Sequence, residues 1–269
     1  MILTEILKSE GKFMTKKYIF EKEGKIAESV FIDRGNKNIL CISSMFGCPV
    51  KCNFCASGLN YFGKLTKNDI LDTVYQIIEN ENVDNNKKLL ISFMGSGEPL
   101  MNISSVSGSI RELSREFLNP YFAISFSGSR INNLSKLDDL NDLNLKLQFS
   151  LHSPYNYERK KLIPLTDDLY KILPLLSKSP FVLEINYTLI DGLNDSENHA
   201  EKLSELIKDN NFKLKINEYH EVGDNFKKST NDQNFFEILK RNKVCYEFYS
   251  TDGVDIGAAC GQLKTQKIK

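Results

Sequence analysis

The stretch "GCPVKCNFC", residues 47–55, places Cys48, Cys52 and Cys55 in a CxxxCxxC pattern. Three thiolates on one short loop can hold three irons of a [4Fe–4S] cluster. The fourth iron is then left open, because an ordinary cluster site uses four cysteines. A zinc site would want a fourth Cys or His at ligand spacing, and none follows Cys55 closely. By spacing alone iron–sulfur is the better of the two readings. The loop follows an apolar run, "NILCISS" (38–44), so it sits where a strand ends.

Outward from this loop, strand-like runs alternate with helix-like ones. The strand candidates are "KLLISFMG" (88–95), "YFAISFSG" (121–128), "LKLQFSLH" (145–152), "FVLEINYTLI" (181–190), "FKLKINEYHE" (212–221) and "VCYEFYS" (244–250). Helical spacing is clear over 66–80, 195–210 and 229–242, each opening on a Thr, Asp or Ser suited to an N-cap. Repeated βα units with apolar strands predict a parallel sheet with helices outside, as a barrel or an open barrel. Six to seven strands is short of eight. Active sites of such barrels lie at the C-terminal strand ends. Before the first of these strands, residues 17–33 alternate around "EKEGK" and predict a β-hairpin. The asparagine-rich "ENENVDNNKK" (79–88) reads as a solvated loop.

Composition removes some function classes. The chain has 35 basic and 35 acidic residues, so overall charge gives no support to a large nucleic-acid partner. No run of apolar residues is long enough to span a membrane. The start "MILTEILKSEGK" lacks a basic region followed by an apolar one, so no secretory signal is expected. Six cysteines clustered in this way suit metal binding or chemistry better than a disulfide scaffold. A cytoplasmic protein is expected. Cys245, within a strand candidate, reads as a core cysteine.

Further motifs fall at strand ends. "GSGEP" (95–99) follows the second strand, Ser125 lies at the end of the third, and "SLHSP" (150–154) ends the fourth. Together with CxxxCxxC they resemble the radical S-adenosylmethionine (SAM) superfamily. The resemblance implies a partial (βα)6 barrel over residues 36–269, with an N-terminal extension and hairpin over 1–35 and a cysteine-bearing C-terminal loop. It implies that SAM chelates the open iron and that one electron cleaves it to a 5′-deoxyadenosyl radical. Phe54 matches the aromatic position beside the adenine, or simply packs the loop.

Within the superfamily the chain resembles the RlmN/Cfr family of methyl synthases, which methylate an adenosine in RNA. The matches run in order: "ESVFIDR" (28–34), "LCISS…GCPVKCNFCASG" (40–58), "FMGSGEPLMN" (93–102), "SLHSP…RKKLIPL" (150–165), "LIDGLND…HA" (189–200) and "DIGAACGQL" (255–263). The resemblance assigns roles. Cys260 accepts a methyl group from a first SAM, which requires a thiolate. The radical from a second SAM takes a hydrogen from that S-methyl. The methylene radical adds to C2 or C8 of adenine, an sp² amidine carbon too poor a nucleophile to attack SAM itself. Cys41 attacks the sulfur of Cys260, forms a transient disulfide and releases the product. Glu28 takes the ring proton as general base. Gly97, Glu98, Ser125, Ser150, Leu151 and His152 match SAM-contacting positions. The implied partners are an RNA, ribosomal or transfer, and a flavodoxin- or ferredoxin-like electron donor, with the enzyme a monomer.

Three departures stand out. About sixteen residues precede the hairpin, where the family has an RNA-binding domain. Ser250 and Asp252 stand where Lys or Arg is common. His220 takes the place of a SAM-contacting asparagine. The first two weaken phosphate binding, the main source of affinity for RNA. The basic clusters at 159–161 and 227–228 offer either phosphate contacts or a solvated face. An alternative therefore stands beside RNA: the same chemistry on a free nucleotide or other small molecule.

Overall fold

A computed structural model describes residues 1–84, 87–223, 225–249 and 252–264. The chain opens with three antiparallel strands, β1 (Ile2–Lys8), β2 (Met14–Lys22) and β3 (Lys25–Asp33). The hairpin expected at 17–33 is the β2–β3 pair, closed by Glu23 and Gly24 at φ 52° and 72°. Two left-handed residues in a row twist a turn in the sense the flanking strands need.

β3 then pairs antiparallel with β4 (Lys37–Cys41), setting Val30 opposite Cys41. From β4 the sheet continues in parallel through β7 (Lys88–Phe93), β8 (Tyr121–Phe126), β9 (Leu145–Ser150), β10 (Val182–Leu189), β11 (Lys213–Glu218) and β12 (Tyr246–Tyr249). Between β4 and β7 lie a short ribbon, β5 (Met45–Gly47) with β6 (Tyr61–Lys64), and helix α1 (Lys67–Glu81). The later crossovers use α2 (Ile103–Glu116), a 3₁₀ stretch (Ile131–Leu140), α3 (Asn156–Leu162) with α4 (Leu169–Ser177), α5 (Glu197–Asn210) and α6 (Asp232–Arg241). Six strand-to-strand crossovers thus join seven parallel strands. Among the described residues no helix is long and apolar enough to cross a membrane.

The parallel strands alternate strictly. Ile91, Ile124, Leu147, Phe149, Ile185 and Tyr187 are fully buried under the helices. Each such side chain contributes about 1.5–3 kcal/mol. Their neighbours on the other face are Cys41, Ser92, Ala123, Gln148 and Lys215, which line the barrel interior. Period-two alternation therefore separates an apolar outer layer from a lumen in which polar side chains stand among Val30, Ile39 and Leu90.

Helix starts follow their caps. Thr66 Oγ1 accepts from Asp69 N at 3.2 Å while Asp69 Oδ2 accepts from Thr66 N at 3.0 Å, a reciprocal cap worth about 1 kcal/mol. Ser196, rather than Asp195, caps α5. The third expected helix begins at Asp232 and not at 229: Ser229 Oγ donates to Asp195 Oδ2 at 2.6 Å and accepts from Asn231 N at 3.1 Å, a turn that precedes the helix. In the asparagine-rich patch, α1 runs on to Glu81 and Asn82 ends it at φ 45°, while residues 85 and 86 lie outside the described residues. Cys245 is exposed, which corrects the core reading. It precedes β12 at the outermost position of the parallel sheet, where among the described residues no further strand covers it.

Candidate active site

Three parallel strands stop two residues short of the stretches predicted from sequence. β7 ends at Phe93, β8 at Phe126 and β9 at Ser150. The residues beyond leave the ladder: Gly97 has φ 118°, Gly128 φ 87° and His152 φ 54°. These strand ends surround a cavity of about 150 Å³.

Cys48, Cys52 and Cys55 line one side of it. Their loop is held between β5 and β6, with Cys48 N donating to Ser57 O at 2.8 Å. Cys48 and Val50 pack on Leu162 and Ile163. Burial pushes the Cys48 thiol up to about 12, with Glu98 adding to it. Burial, then Cys55 and Cys48, push Cys52 well above its ordinary value. Cys55 is also raised by burial, against hydrogen bonds from Ser57. Three thiolates here would repel one another, and a cationic iron–sulfur core bound by all three removes that cost. Among the described residues no three His, Cys, Asp or Glu side chains converge as ligands of a single ion.

Across the cavity sit Gly97, Glu98, Ser125, Ser150 and His152. Gly97 must be glycine: a Cβ would come within 2.4 Å of Ser44 Oγ, and its φ disfavours any side chain. Glu98 lines the cavity, yet its oxygens serve the chain. Oε1 accepts from Leu100 N at 3.2 Å, and Oε2 from Ser127 N at 2.8 Å and Ser127 Oγ at 2.6 Å. Burial lifts its carboxyl to about 7 against those bonds. His152 Nδ1 accepts from Thr188 N at 3.1 Å, which leaves the ring proton on Nε2. Burial and then Arg159 push His152 down to about 3, so it is neutral. Phe54 stands edge-on to His152, with centroids 4.9 Å apart. Asn186 and Asn217 also line this cavity, and Asn186 Oδ1 is a buried acceptor without a partner. Such an orphaned group fits a polar ligand.

Two expected contacts fall elsewhere. Leu151 is fully buried in the core and offers its backbone: its N–H donates to Asn186 O at 2.9 Å. His220 is buried with Nε2 unpartnered, but it does not line the cavity. Asn217, three positions earlier at the end of β11, takes that place, because the strand ends before the loop that carries His220. Asn186 and Asn217 went unnoticed in the sequence, although both are polar breaks in apolar strands.

A second cavity of about 290 Å³ occupies the lumen. Cys41, at the end of β4, and Cys260 both line it. Cys260 Sγ lies 3.7 Å from Met94 Sδ. Burial raises the Cys41 thiol strongly, and Cys260 adds to the effect. Cys260 and Gly261 line both cavities. Their segment crosses the open side of the barrel. Gly261 O accepts from Ala56 N at 2.7 Å, and Leu263 O from Ser57 Oγ at 2.9 Å.

Glu28 does not line either cavity. It faces the same side of β3 as Val30, but the C-terminal segment covers it. Lys264 N donates to its Oε2 at 2.7 Å and Lys17 Nζ stands 3.3 Å from Oε1. Burial raises its carboxyl while Lys17 opposes the rise.

The lumen also carries Arg34, Lys37, Lys146 and Lys215. Lys146 pairs with Glu184 at 2.9 Å, and Lys215 lies 3.9 Å over the Tyr249 ring. Arg34 is taken by Asp252 at 3.0 Å. Ser250 lies outside the described residues. Of the two basic clusters, Lys160 pairs with Asp168 at 2.6 Å, Lys227 with Glu221 at 2.9 Å and Lys228 with Glu218. Arg159 is fully buried, which corrects its reading as a surface cation.

Comparison with known proteins follows this geometry. The radical SAM superfamily model matches residues 42–242. A probable dual-specificity RNA methyltransferase RlmN of Thermotoga sp. (strain RQ2) is 33% identical over 268 residues, covering 95% of this chain and 77% of the relative. RlmN 2 of Protochlamydia amoebophila is 34% identical over 262 residues, covering 91% and 72%. A crystal structure of a radical SAM methyltransferase from Sphaerobacter thermophilus superimposes with a TM-score of 0.86 at 25% identity, covering 97% of this chain and 80% of that one. The superfamily works with a [4Fe–4S] cluster and SAM, and the three thiols and the polar strand ends fit both. The chain is a radical SAM enzyme and belongs to the family of RlmN methyltransferases.

Proposed function

We propose that the chain methylates C2 or C8 of an adenosine in RNA through a methyl group carried on Cys260. The observation that carries the reading is the meeting of Cys41 and Cys260, remote in sequence, in one cavity that adjoins the three cluster thiols. When bound, the cluster and SAM supply a methyl group, an electron and a deoxyadenosyl radical.

The chain's own residues divide the remaining work. Cys260 is the nucleophile and carrier. Cys41 is the later nucleophile, because burial and the neighbouring Cys260 hold it as a thiol at first. Its thiolate attacks Cys260 Sγ, forming the S–S bond as the S–CH2 bond breaks; the electron pair leaves with the carbon on the base, and a proton completes the methyl group. Glu28 receives the ring proton once the C-terminal segment lifts from it. Phe54 and His152 offer an aromatic wall at the upper cavity. Ser125, Ser150 and Asn217 offer polar contacts to SAM there. A flavodoxin- or ferredoxin-like protein delivers the electron, and the enzyme acts as a monomer.

A second reading, the same chemistry on a free nucleotide, is favoured by the pairing of Arg34 with Asp252 at the lumen, which occupies a cation that would otherwise meet phosphate. One experiment separates them. Nucleosides from total RNA of a deletion strain should lack one methyladenosine. An unchanged profile defeats the RNA reading. The Cys260 peptide should be one methylene unit heavier in protein expressed with SAM. Its absence, with deoxyadenosine still formed, defeats the methyl-cysteine route.

A further inference from the structure

Arg159 is the largest side chain with no exposure. It sits on α3, beneath the ends of β8 and β9. Its Nη1 donates to Ser150 O at 2.9 Å and to Leu151 O. Its Nη2 donates to Ser127 O at 2.9 Å and to Thr166 Oγ1 at 2.6 Å. All four acceptors are neutral, and Nε is buried without a partner. Among the described residues no carboxylate pairs with the guanidinium. A whole positive charge is thus buried with dipoles around it and no counter-ion, an arrangement that ordinarily destabilises a fold.

The place of this charge is specific. The same α3 braces the cysteine loop: Asn53 N donates to Leu162 O at 3.0 Å and Asn53 Nδ2 to Lys161 O at 2.5 Å. Arg159 also clamps the backbone of Ser127 and Ser150, which line the same cavity as Cys52 and His152. Burial lowers the guanidinium to about 9, so it remains cationic at neutral pH. Three thiolates outweigh the positive charge of an oxidised iron–sulfide core, and reduction adds one more electron. A fixed cation behind the loop favours the reduced, more negative state over the oxidised one.

We propose that Arg159 is a positioning residue that supplies the counter-charge of the thiolate-held cluster and raises its reduction potential. The proposal rests on the cofactor of the family and not on the methyl-cysteine chemistry or the identity of the substrate.

The test is an EPR-monitored redox titration of anaerobically reconstituted protein without SAM. Arg159→Gln should lower the reduced-to-oxidised ratio at the wild-type midpoint at least tenfold, about 59 mV for a one-electron couple. Arg159→Lys keeps the charge and should stay close to wild type. Thr166→Asp sets a carboxylate on the atom Arg159 already contacts and should mimic Arg159→Gln while leaving the arginine in place. Wild-type midpoints in folded, iron-loaded R159Q and T166D would overturn the proposal. So would an R159K midpoint as low as that of R159Q. If R159Q and T166D both fail to take up iron, normal loading of R159K supports a charge role. Failure of all three assigns Arg159 to folding alone. Wild-type protein that takes up no iron would instead defeat the cofactor reading itself.

Discussion

Two cysteine-bearing segments meet at the centre of this molecule, and they are built on opposite plans. Residues 48–55 are clasped between β5 and β6 and bedded on Leu162 and Ile163. Residues 253–263 contain a single 3₁₀ turn, Val254–Ile256, and three glycines at φ 84°, 62° and 85°. Their polar anchors are scattered: Asp255 accepts from Ser9 Oγ at 2.7 Å, Lys264 N reaches Glu28, and Gly261 O reaches Ala56 N. Apolar packing holds the first segment where its thiols can share one ligand. The second packs Ala258 and Leu263 into a small cluster with Val30, Ile32 and Ile39, and leans more on separate hydrogen bonds, each worth about 1 kcal/mol, that can be undone piecemeal. The first suits a permanent cofactor, and the second suits the carrier thiol proposed for Cys260.

The sharpest way to break this comparison is at the sulfurs. Cys52→Ala should lose the cluster's iron and all methyl transfer. Cys260→Ala should keep the iron in full and lose methyl transfer as completely, with deoxyadenosine still produced. Iron analysis beside product assay separates them, and equal iron loss in both would erase the distinction.

The glycines come next. At Gly47 (φ 80°) a Cβ would lie 1.8 Å from Asn60 O, so Gly47→Ala must push β5 and β6 apart. A loss of about 3 kcal/mol or more is expected in urea unfolding, with reduced iron uptake. At Gly257 (φ 62°) the nearest atom to such a Cβ is Lys17 Nζ at 3.4 Å. Gly257→Ala should cost about 1 kcal/mol, the left-handed penalty alone, with iron unchanged.

Glu98 gives a pH signature to the rigid side. Its folded carboxyl is raised from 4.5 to about 7, so its neutral form is the one the fold favours. Its contribution is fully present below pH 4.5 and is lost as pH rises to about 7, amounting to roughly 3 kcal/mol. His152, pushed the other way, loses stability as pH falls from 6.5. Comparing wild type with Glu98→Gln isolates the first effect: the stability difference between them should shift across that window in cluster-free protein. A flat difference would mean that Ser127 and Leu100 hold Glu98 ionised.

The smallest effect belongs to the movable side. Asp252→Asn breaks a partly exposed ion pair and should cost less than about 1 kcal/mol. Freed Arg34 should then tighten RNA binding, with a steeper salt dependence. Unchanged binding would place the RNA path away from Arg34.

The same contrast explains what could be read from the chain. The cluster loop is local, so its spacing announced its chemistry. Parallel strands announced themselves by apolar runs, though each run continued past its strand, because Gly97, Gly128 and His152 leave the ladder through left-handed or glycine-like backbone. The closeness of Cys41 to Cys260 depends on the sheet bringing distant ends together, and nothing near either residue encodes it apart from family likeness. Arg159 looked like a surface cation because its neighbours in sequence, Lys160 and Lys161, are surface cations. Its burial follows from α3 turning that one face toward the ends of β8 and β9. His220 looked like a ligand by position in the motif, while the end of β11 put Asn217 at the wall.

Cys260 and Gly261, with Cys55, Ser57, Met94 and Gly95, line both cavities, so the partition between them is built from three short segments. A thiol in such a wall faces two rooms without travelling far. Three of the residues on that partition carry sulfur, Cys55, Met94 and Cys260, so the two cavities share a soft, polarisable boundary.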